Sequence, residues 1–219
     1  MKKNIITIIT LISFAVPAIC SAAPARPGAY MSGFIGISVP SSEDASTFDS
    51  NGSFNDRVEF DPNINIGGTG GYDFGIVRLE GELSYKNADL KTITDQTSGI
   101  RYHNVDGNLG ALALMVNGFF DLHNDSRVTP YLGGGIGFAS LHLSDTFTQA
   151  SLPIYGAGDA TVFAYQAGAG VAIALNQRVS LDIGYRYFGT GRGDFDSDLS
   201  TTSMKFESHN AALGVRYKF

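Results

Sequence analysis

Apolar and polar residues take turns along most of this chain, so its dominant period is two, the spacing of a strand whose two faces meet different surroundings. Eight such stretches predict strands near Tyr30–Val39, Asn63–Phe74, Ile76–Tyr85, Asn108–Leu122, Val128–Leu143, Thr161–Leu175, Val179–Phe188 and Phe206–Phe219. Each has roughly the ten residues that a tilted strand needs to cross a bilayer. The connections alternate in length. Phe74-Gly75, His123–Arg127 and Asn176–Arg178 are short, whereas about Pro40–Pro62, Lys86–Gly107, Ser144–Ala160 and Gly189–Lys205 are long. The pattern predicts an all-β fold: an eight-stranded antiparallel up-and-down transmembrane β-barrel with short periplasmic turns and four long extracellular loops.

Face assignment sharpens the prediction. If Leu213, Val215, Tyr217 and Phe219 face lipid, then Asn210, Ala212, Gly214, Arg216 and Lys218 face the interior. In SLDIGYRYF, Leu181, Ile183, Tyr185 and Tyr187 point out, and Asp182 and Arg186 point in. In IVRLEGELSY, Val77, Leu79, Leu83 and Tyr85 point out, and Arg78, Glu80 and Glu82 point in. Every charge in the central spans of these strands falls on one face. A slip of one residue would bring several of them into hydrocarbon, at about 2–4 kcal/mol for each Arg near the midplane. Asn117 and Gln166 join the inward set, with Gly133, Gly135, Gly137, Gly168 and Gly170 leaving room for long side chains. The lumen set Arg78, Glu80, Glu82, Asp182, Arg186 and Arg216 has two readings: a charged gate, or a salt-bridge network filling an interior only wide enough for its own side chains. In the second reading, Glu80 or Glu82 bridges to Arg186 or Arg216. The aromatic residues fall near strand ends, where headgroups lie.

The N-terminus departs from the pattern. Lys2 and Lys3, the apolar run Ile5 to Val16 and the small residues before Ala22 read as a secretory signal peptide over 1–22, leaving a barrel domain over 23–219. Cys20 follows Ile19, not the small residue that lipidation requires. With Lys2 and Lys3 removed, the 15 Lys and Arg fall to 13 against 21 Asp and Glu, which excludes nucleic acid as a partner. No run after residue 22 reaches the about 18 apolar residues of a spanning helix, so a membrane form must be a closed barrel.

GVRYKF, SLDIGYRYF, GYDFGIVRLEGELSY and the pair NGFFDL…TPYLGGGIGF, in that placement, resemble the opacity-type and surface-antigen outer-membrane proteins, small barrels akin to the OmpA transmembrane domain. The resemblance covers nearly the whole processed chain and is weakest in the long loops. It implies bacterial outer-membrane localisation and contact with outer-membrane lipid and lipopolysaccharide. It also implies assembly by the barrel-assembly machinery through Leu213, Val215, Tyr217 and Phe219. The role implied is structural or surface-interacting, with a host or surface ligand held by the loops. A narrow low-conductance channel is the alternative.

Candidate chemistry is sparse. Arg192-Gly193-Asp194 in the last long loop is the tripeptide that many integrins bind, presented here as an exposed, glycine-flanked segment. Asp194, Asp196 and Asp198 resemble half of a Ca²⁺ loop, but position twelve is Lys205. His142 and Ser144 at the outer rim have the spacing of a lipid A deacylase pair, yet no acid stands out on the following strand, and a serine needs a base with its orienter. His103, His123 and His209 lack metal-ligand spacing. The expectation is a non-enzyme without metal or cofactor. The long loops, rich in Ser, Thr, Asp, Asn and Gly, read as unstructured recognition segments.

Overall fold

The computed structural model describes residues 27–49, 52–122, 126–149, 153–196 and 200–219, and every regular element in them is a strand. The expected leader, with Cys20 and the cleavage point at Ala22, lies outside these residues, as do His123 and Asp198. The strands are β1 (Gly28–Pro40), β2 (Glu43–Asp49), β3 (Gly52–Asp61), β4 (Asn63–Asp73), β5 (Val77–Asp95), β6 (Arg101–His103), β7 (Asn108–Asp121), β8 (Val128–Leu143), β9 (Thr146–Phe147), β10 (Pro153–Tyr155), β11 (Gly158–Ala174), β12 (Val179–Thr190), β13 (Gly193–Asp196), β14 (Ser200–Met204) and β15 (Glu207–Lys218).

Eight of these, β1, β4, β5, β7, β8, β11, β12 and β15, pair antiparallel in a closed ring, because β1 pairs with both β4 and β15 while β5 pairs with β7. A line of paired residues runs from Tyr30 through Gly71, Glu80, Asn117, Gly135, Gln166, Phe188 and Ser208 and returns to β1 at Pro40. The offset from 30 to 40 is even, so the inner face stays inner all the way round, and it implies a strand tilt of about 40°. The short turns form at one end. Gly75 takes a left-handed φ of 104°, and its N–H donates to Asp73 Oδ1 at 2.7 Å. Asn176 Oδ1 accepts the N–H groups of Arg178 and Val179, both at 2.8 Å. Local side-chain bonds of this kind fix such turns.

At the other end, here termed the outer end, the long connections do not remain unstructured. β5 runs on to Asp95 and pairs with β3 and β6, and β13, β14 and β2 extend the wall beyond β3. The reason is an apolar lining, with a register shift between Glu59 and Phe60 that brings both Leu90 and Ile93 inside. Val58, Leu90 and Ile93 point inward from this wall and meet Val105, Leu109, Leu141, Leu143, Phe195, Met204 and Phe206 in one buried cluster. The β9–β10 hairpin lies over it and is fastened where the Tyr155 hydroxyl donates to Asp56 Oδ2 at 2.7 Å. A buried apolar core of this kind stabilises strands that would otherwise be solvated loops.

Candidate functional site

Two layers fill the interior, and β5 displays both. Its inward residues run Arg78, Glu80, Glu82, Ser84 and Lys86, then Ala88 and Leu90, all buried. The charged layer therefore occupies the short-turn half and the apolar layer the outer half.

In the charged layer, Arg78 is 2% exposed and lies among the rings of Tyr131, Phe119 and Tyr30, with centroids at 4.9, 5.0 and 5.8 Å. Its guanidinium reaches Asp121 at 3.1 Å and Glu80 at 3.8 Å. Arg186 bridges Glu82 and Glu80, the latter at 3.6 Å. Asn117 Nδ2 and Gln166 Nε2 each donate to Glu82 at 3.0 Å, and the Tyr30 hydroxyl donates to Glu80 at 2.6 Å. Arg216 does not join the glutamates. It pairs with Asp182 at 2.6 Å, and Tyr131 donates to the same carboxylate at 2.6 Å. Lys218 pairs with Asp73 at 2.7 Å near the turn end. A cavity of ≈ 30 Å³, lined by Arg78, Glu80, Asp182, Arg186 and Arg216, lies within this layer, room for roughly two or three waters. Arg78, Arg186 and Arg216 each have a carboxylate partner, as buried ions require, while Arg78 Nη2, Gln166 Oε1 and Arg216 Nε have no hydrogen-bond partner.

All six charged lumen residues predicted from parity lie on the inner face, together with Asn117 and Gln166. Parity also reaches residues outside that predicted set. Tyr30 precedes the outward series Met31, Gly33, Ile35, and Lys86 continues the even series of β5 beyond Tyr85. Lys86 donates to Ser84 Oγ at 2.8 Å and lies 4.3 Å from the Phe188 ring centroid. Leu213, Val215, Tyr217 and Phe219 all stand on the lipid side of β15, with Phe219 73% exposed.

Two expectations about the outer end need correction. Arg192-Gly193-Asp194 is not an open loop. Gly193 begins β13 and is buried, and a Cβ there would meet Ala160 Cβ at 2.9 Å. The Ser203 hydroxyl engages the Asp194 carboxylate. Glycine is needed because two strands touch, while Arg192 and Asp194 on either side of it are exposed. His142 does have an acid: Asp159 on β11 lies directly opposite, with Nδ1 and Oδ1 2.7 Å apart. The Ser144 hydroxyl, however, accepts the Asn108 N–H at 2.8 Å and points to the Asp145 carbonyl at 3.4 Å, so it is not held by the imidazole. Among the described residues no acidic, histidine or cysteine group is arranged to hold a metal ion.

Burial within the cap raises the Glu43 carboxyl to about 7, with Glu207 and Asp44 adding to the rise and Lys205 opposing it. Burial raises Asp56 as well. The folded cap thus holds protons more tightly than the unfolded chain. Glu43 favours the folded state increasingly as pH falls from about 7 toward its ordinary 4.5, and that contribution is absent above 7. Tyrosine fluorescence melts should give a cap midpoint about 2–4 °C higher at pH 5.5 than at pH 8 after allowing for solvent screening. Glu43→Gln should raise the pH 8 value and leave only the Asp56 share of the slope.

The model of the outer membrane protein beta-barrel domain family matches residues 6–219. The outer membrane protein PagN of Salmonella typhimurium is 30% identical over 232 residues, covering 93% of this chain and 95% of that protein. The opacity protein opA65 of Neisseria gonorrhoeae is 26% identical over 185 residues, covering 68% and 75% of the two chains. Among solved structures, OprG from Pseudomonas aeruginosa superposes with a TM-score of 0.58 at 12% identity, over 90% of this chain and 99% of that one. Neisserial surface protein A gives 0.52 at 19% identity, over 89% and 100%. Both structural likenesses concern the fold alone.

Proposed function

This chain belongs to the outer membrane protein beta-barrel domain family, and from that premise we propose that it works as a sealed barrel displaying a folded cap, with no pore through it. It is an outer-membrane protein with a structural or surface-interaction role. The observation that carries the sealed reading is the apolar layer at the outer mouth: Phe188, Phe206, Leu141 and Met115 are buried above the ion-paired layer. An ion crossing it would lose most of its hydration against these apolar side chains, and a cation would also meet the Lys86 ammonium beside Phe188, at several kcal/mol or more.

The cap is then the working surface. Its outer wall carries cross-strand ion pairs such as Arg57–Asp44 at 3.1 Å and Arg101–Glu59 at 2.6 Å. Phe48 and Phe54 are exposed near the tip of the β2–β3 hairpin. Ordered, self-paired side chains on a rigid sheet lose little entropy on binding, which favours recognition. His142 and Asp159 pair with each other and Ser144 is engaged by the Asn108 N–H, so a serine-based site is not part of this reading. Contact with lipopolysaccharide, and assembly through the outward residues of β15, remain part of the proposal on the strength of family membership.

Planar-bilayer recording tests the seal. The refolded protein should show no discrete conductance steps, and Phe206→Gly, which opens the apolar layer, should introduce them. Steps in the unaltered protein that change with Arg186→Ala would replace the sealed reading with that of a narrow channel.

A further inference from the structure

The lipid-facing side of the outer rim is not uniform. On β8 and β11 it carries the Phe138–Phe163 pair, two rings without polar atoms at 6.4 Å. On β11, β12 and β15 it carries a phenolic cluster instead. Tyr165 and Tyr187 have centroids 6.3 Å apart, Tyr187 and His209 5.4 Å, and Tyr185 and His209 6.1 Å with nearly parallel planes at 24°. The Tyr187 hydroxyl donates to Glu207 Oε2 at 2.7 Å, Lys205 donates to Glu207 Oε1 at 2.6 Å, and the Tyr185 hydroxyl lies 2.7 Å from His209 Nδ1. Gly189 lies beneath Tyr165. A Cβ there would come within 2.6 Å of the ring, so glycine lets that ring lie flat across β12.

Depth is fixed by the strands themselves. Below the cluster, the outward positions of β12 and β15 are Ile183, Leu181, Ala211, Leu213 and Val215, all apolar. Above it stand Lys205 and the cap. The cluster therefore marks the boundary between hydrocarbon and headgroups. Tyrosine faces there offer apolar platforms with polar edges, and the carboxylate and imidazole supply acceptors beside them. Lys205 is engaged by Glu207 at 2.6 Å and faces Glu43 at 3.8 Å, so the patch has no net positive charge to spend on a phosphate.

We propose that Tyr165, Tyr185, Tyr187, Lys205, Glu207 and His209 form a binding site for the sugar headgroup of an outer-leaflet glycolipid. The sugar's C–H face lies on the phenol rings, its hydroxyls donate to Glu207 and His209, and its acyl chains follow Ile183 and Leu213 toward the membrane centre. The proposal rests on the outer-membrane reading for bringing such a lipid to this face.

The test uses the folded, delipidated barrel in detergent, titrated with hexa-acylated lipid A or with phosphatidylglycerol and followed by native mass spectrometry. Lipid A should bind the unaltered protein about tenfold more tightly than it binds Tyr187→Leu or Glu207→Gln, the scale of one lost hydrogen bond to a charged group. Tyr85→Leu, on the far rim, should bind like the unaltered protein. Tyr187→Phe keeps the ring and serves if the leucine variant does not fold. Equal lipid A affinity across the rim variants would overturn the site and leave an aromatic girdle only. Equal or tighter phosphatidylglycerol binding would overturn the sugar as ligand. Neither result touches the sealed-barrel reading, which conductance decides, and a barrel that never folds shows itself as a single gel mobility before any lipid is added.

Discussion

Arg186→Ala should lower the stability of the barrel by about 3–5 kcal/mol, the cost of leaving buried partners without their counter-ion. Arg186 is the group that Glu80 and Glu82 share, and both carboxylates are almost fully buried. Its guanidinium also lies 5.2 Å from the Phe34 ring and 5.7 Å from that of Phe119, so truncation removes packing as well as charge. In gels of samples heated along a temperature series, the folded band should disappear roughly 10 °C earlier. Two comparisons isolate the cause. Arg57→Ala breaks a pair that is about half exposed, 53% and 57%, and should cost under about 1 kcal/mol. Combining Arg186→Met with Glu82→Gln removes one charge of each sign, leaves Glu80 to Arg78, and should recover part of the loss, because replacing both members of a buried ion pair costs less than removing one. If Arg186→Ala melts with the unaltered protein, the interior is wet enough to hydrate its carboxylates, and the sealed reading fails with it.

That network is partly legible in the amino-acid sequence, and the reason lies in how each residue announces itself. Arg78, Glu80 and Glu82 alternate with Val77, Leu79 and Leu83, so the pleat alone assigns their face. Partnership does not follow from parity. Arg216 belongs to Asp182 and not to the glutamates, because β12 and β15 are paired neighbours whose register sets Asp182 opposite Gly214, two residues from Arg216, whereas Glu80 and Glu82 stand on β5 with β1 and β4 in between, and no local pattern encodes that register. Asp159 is hidden for the same reason. It lies opposite His142 only through the β8–β11 register, which starts seventeen residues away across an apparent loop.

The cap is least legible. Its inward residues, Val58, Leu90, Ile93 and Phe195, are single apolar positions among Ser, Thr, Asp and Asn, each too isolated to signal a strand. They become a core only when four connections converge. Composition there signals solubility, while the fold depends on long-range contacts that composition does not carry. The Arg-Gly-Asp tripeptide shows the consequence. Glycine and aspartate suit a loop, yet Gly193 is small because β13 crosses Ala160 and Val162 at contact distance.

Leu114→Arg puts the division of faces itself at risk. Leu114 is 65% exposed, sits midway along β7 and pairs with Leu83 and Phe138, both also on the outside. In a lipid bilayer the substitution should cost about 2–4 kcal/mol, because a guanidinium at mid-depth reaches neither headgroup layer with its full hydration. Leu112, one outward position nearer the rim and paired with Tyr85, should lose less as arginine, since its side chain extends into the headgroups. Ser46→Arg, on the outer wall of the cap beside Asn55, should stay within about 0.5 kcal/mol because water is already there. The three variants share one added charge and differ only in surroundings, so a falling cost from Leu114 to Leu112 to Ser46 measures depth directly. Urea midpoints in vesicles supply the numbers. A flat series would mean that the apolar face of β7 meets something other than hydrocarbon, and the outward alternation along all eight ring strands would need another cause.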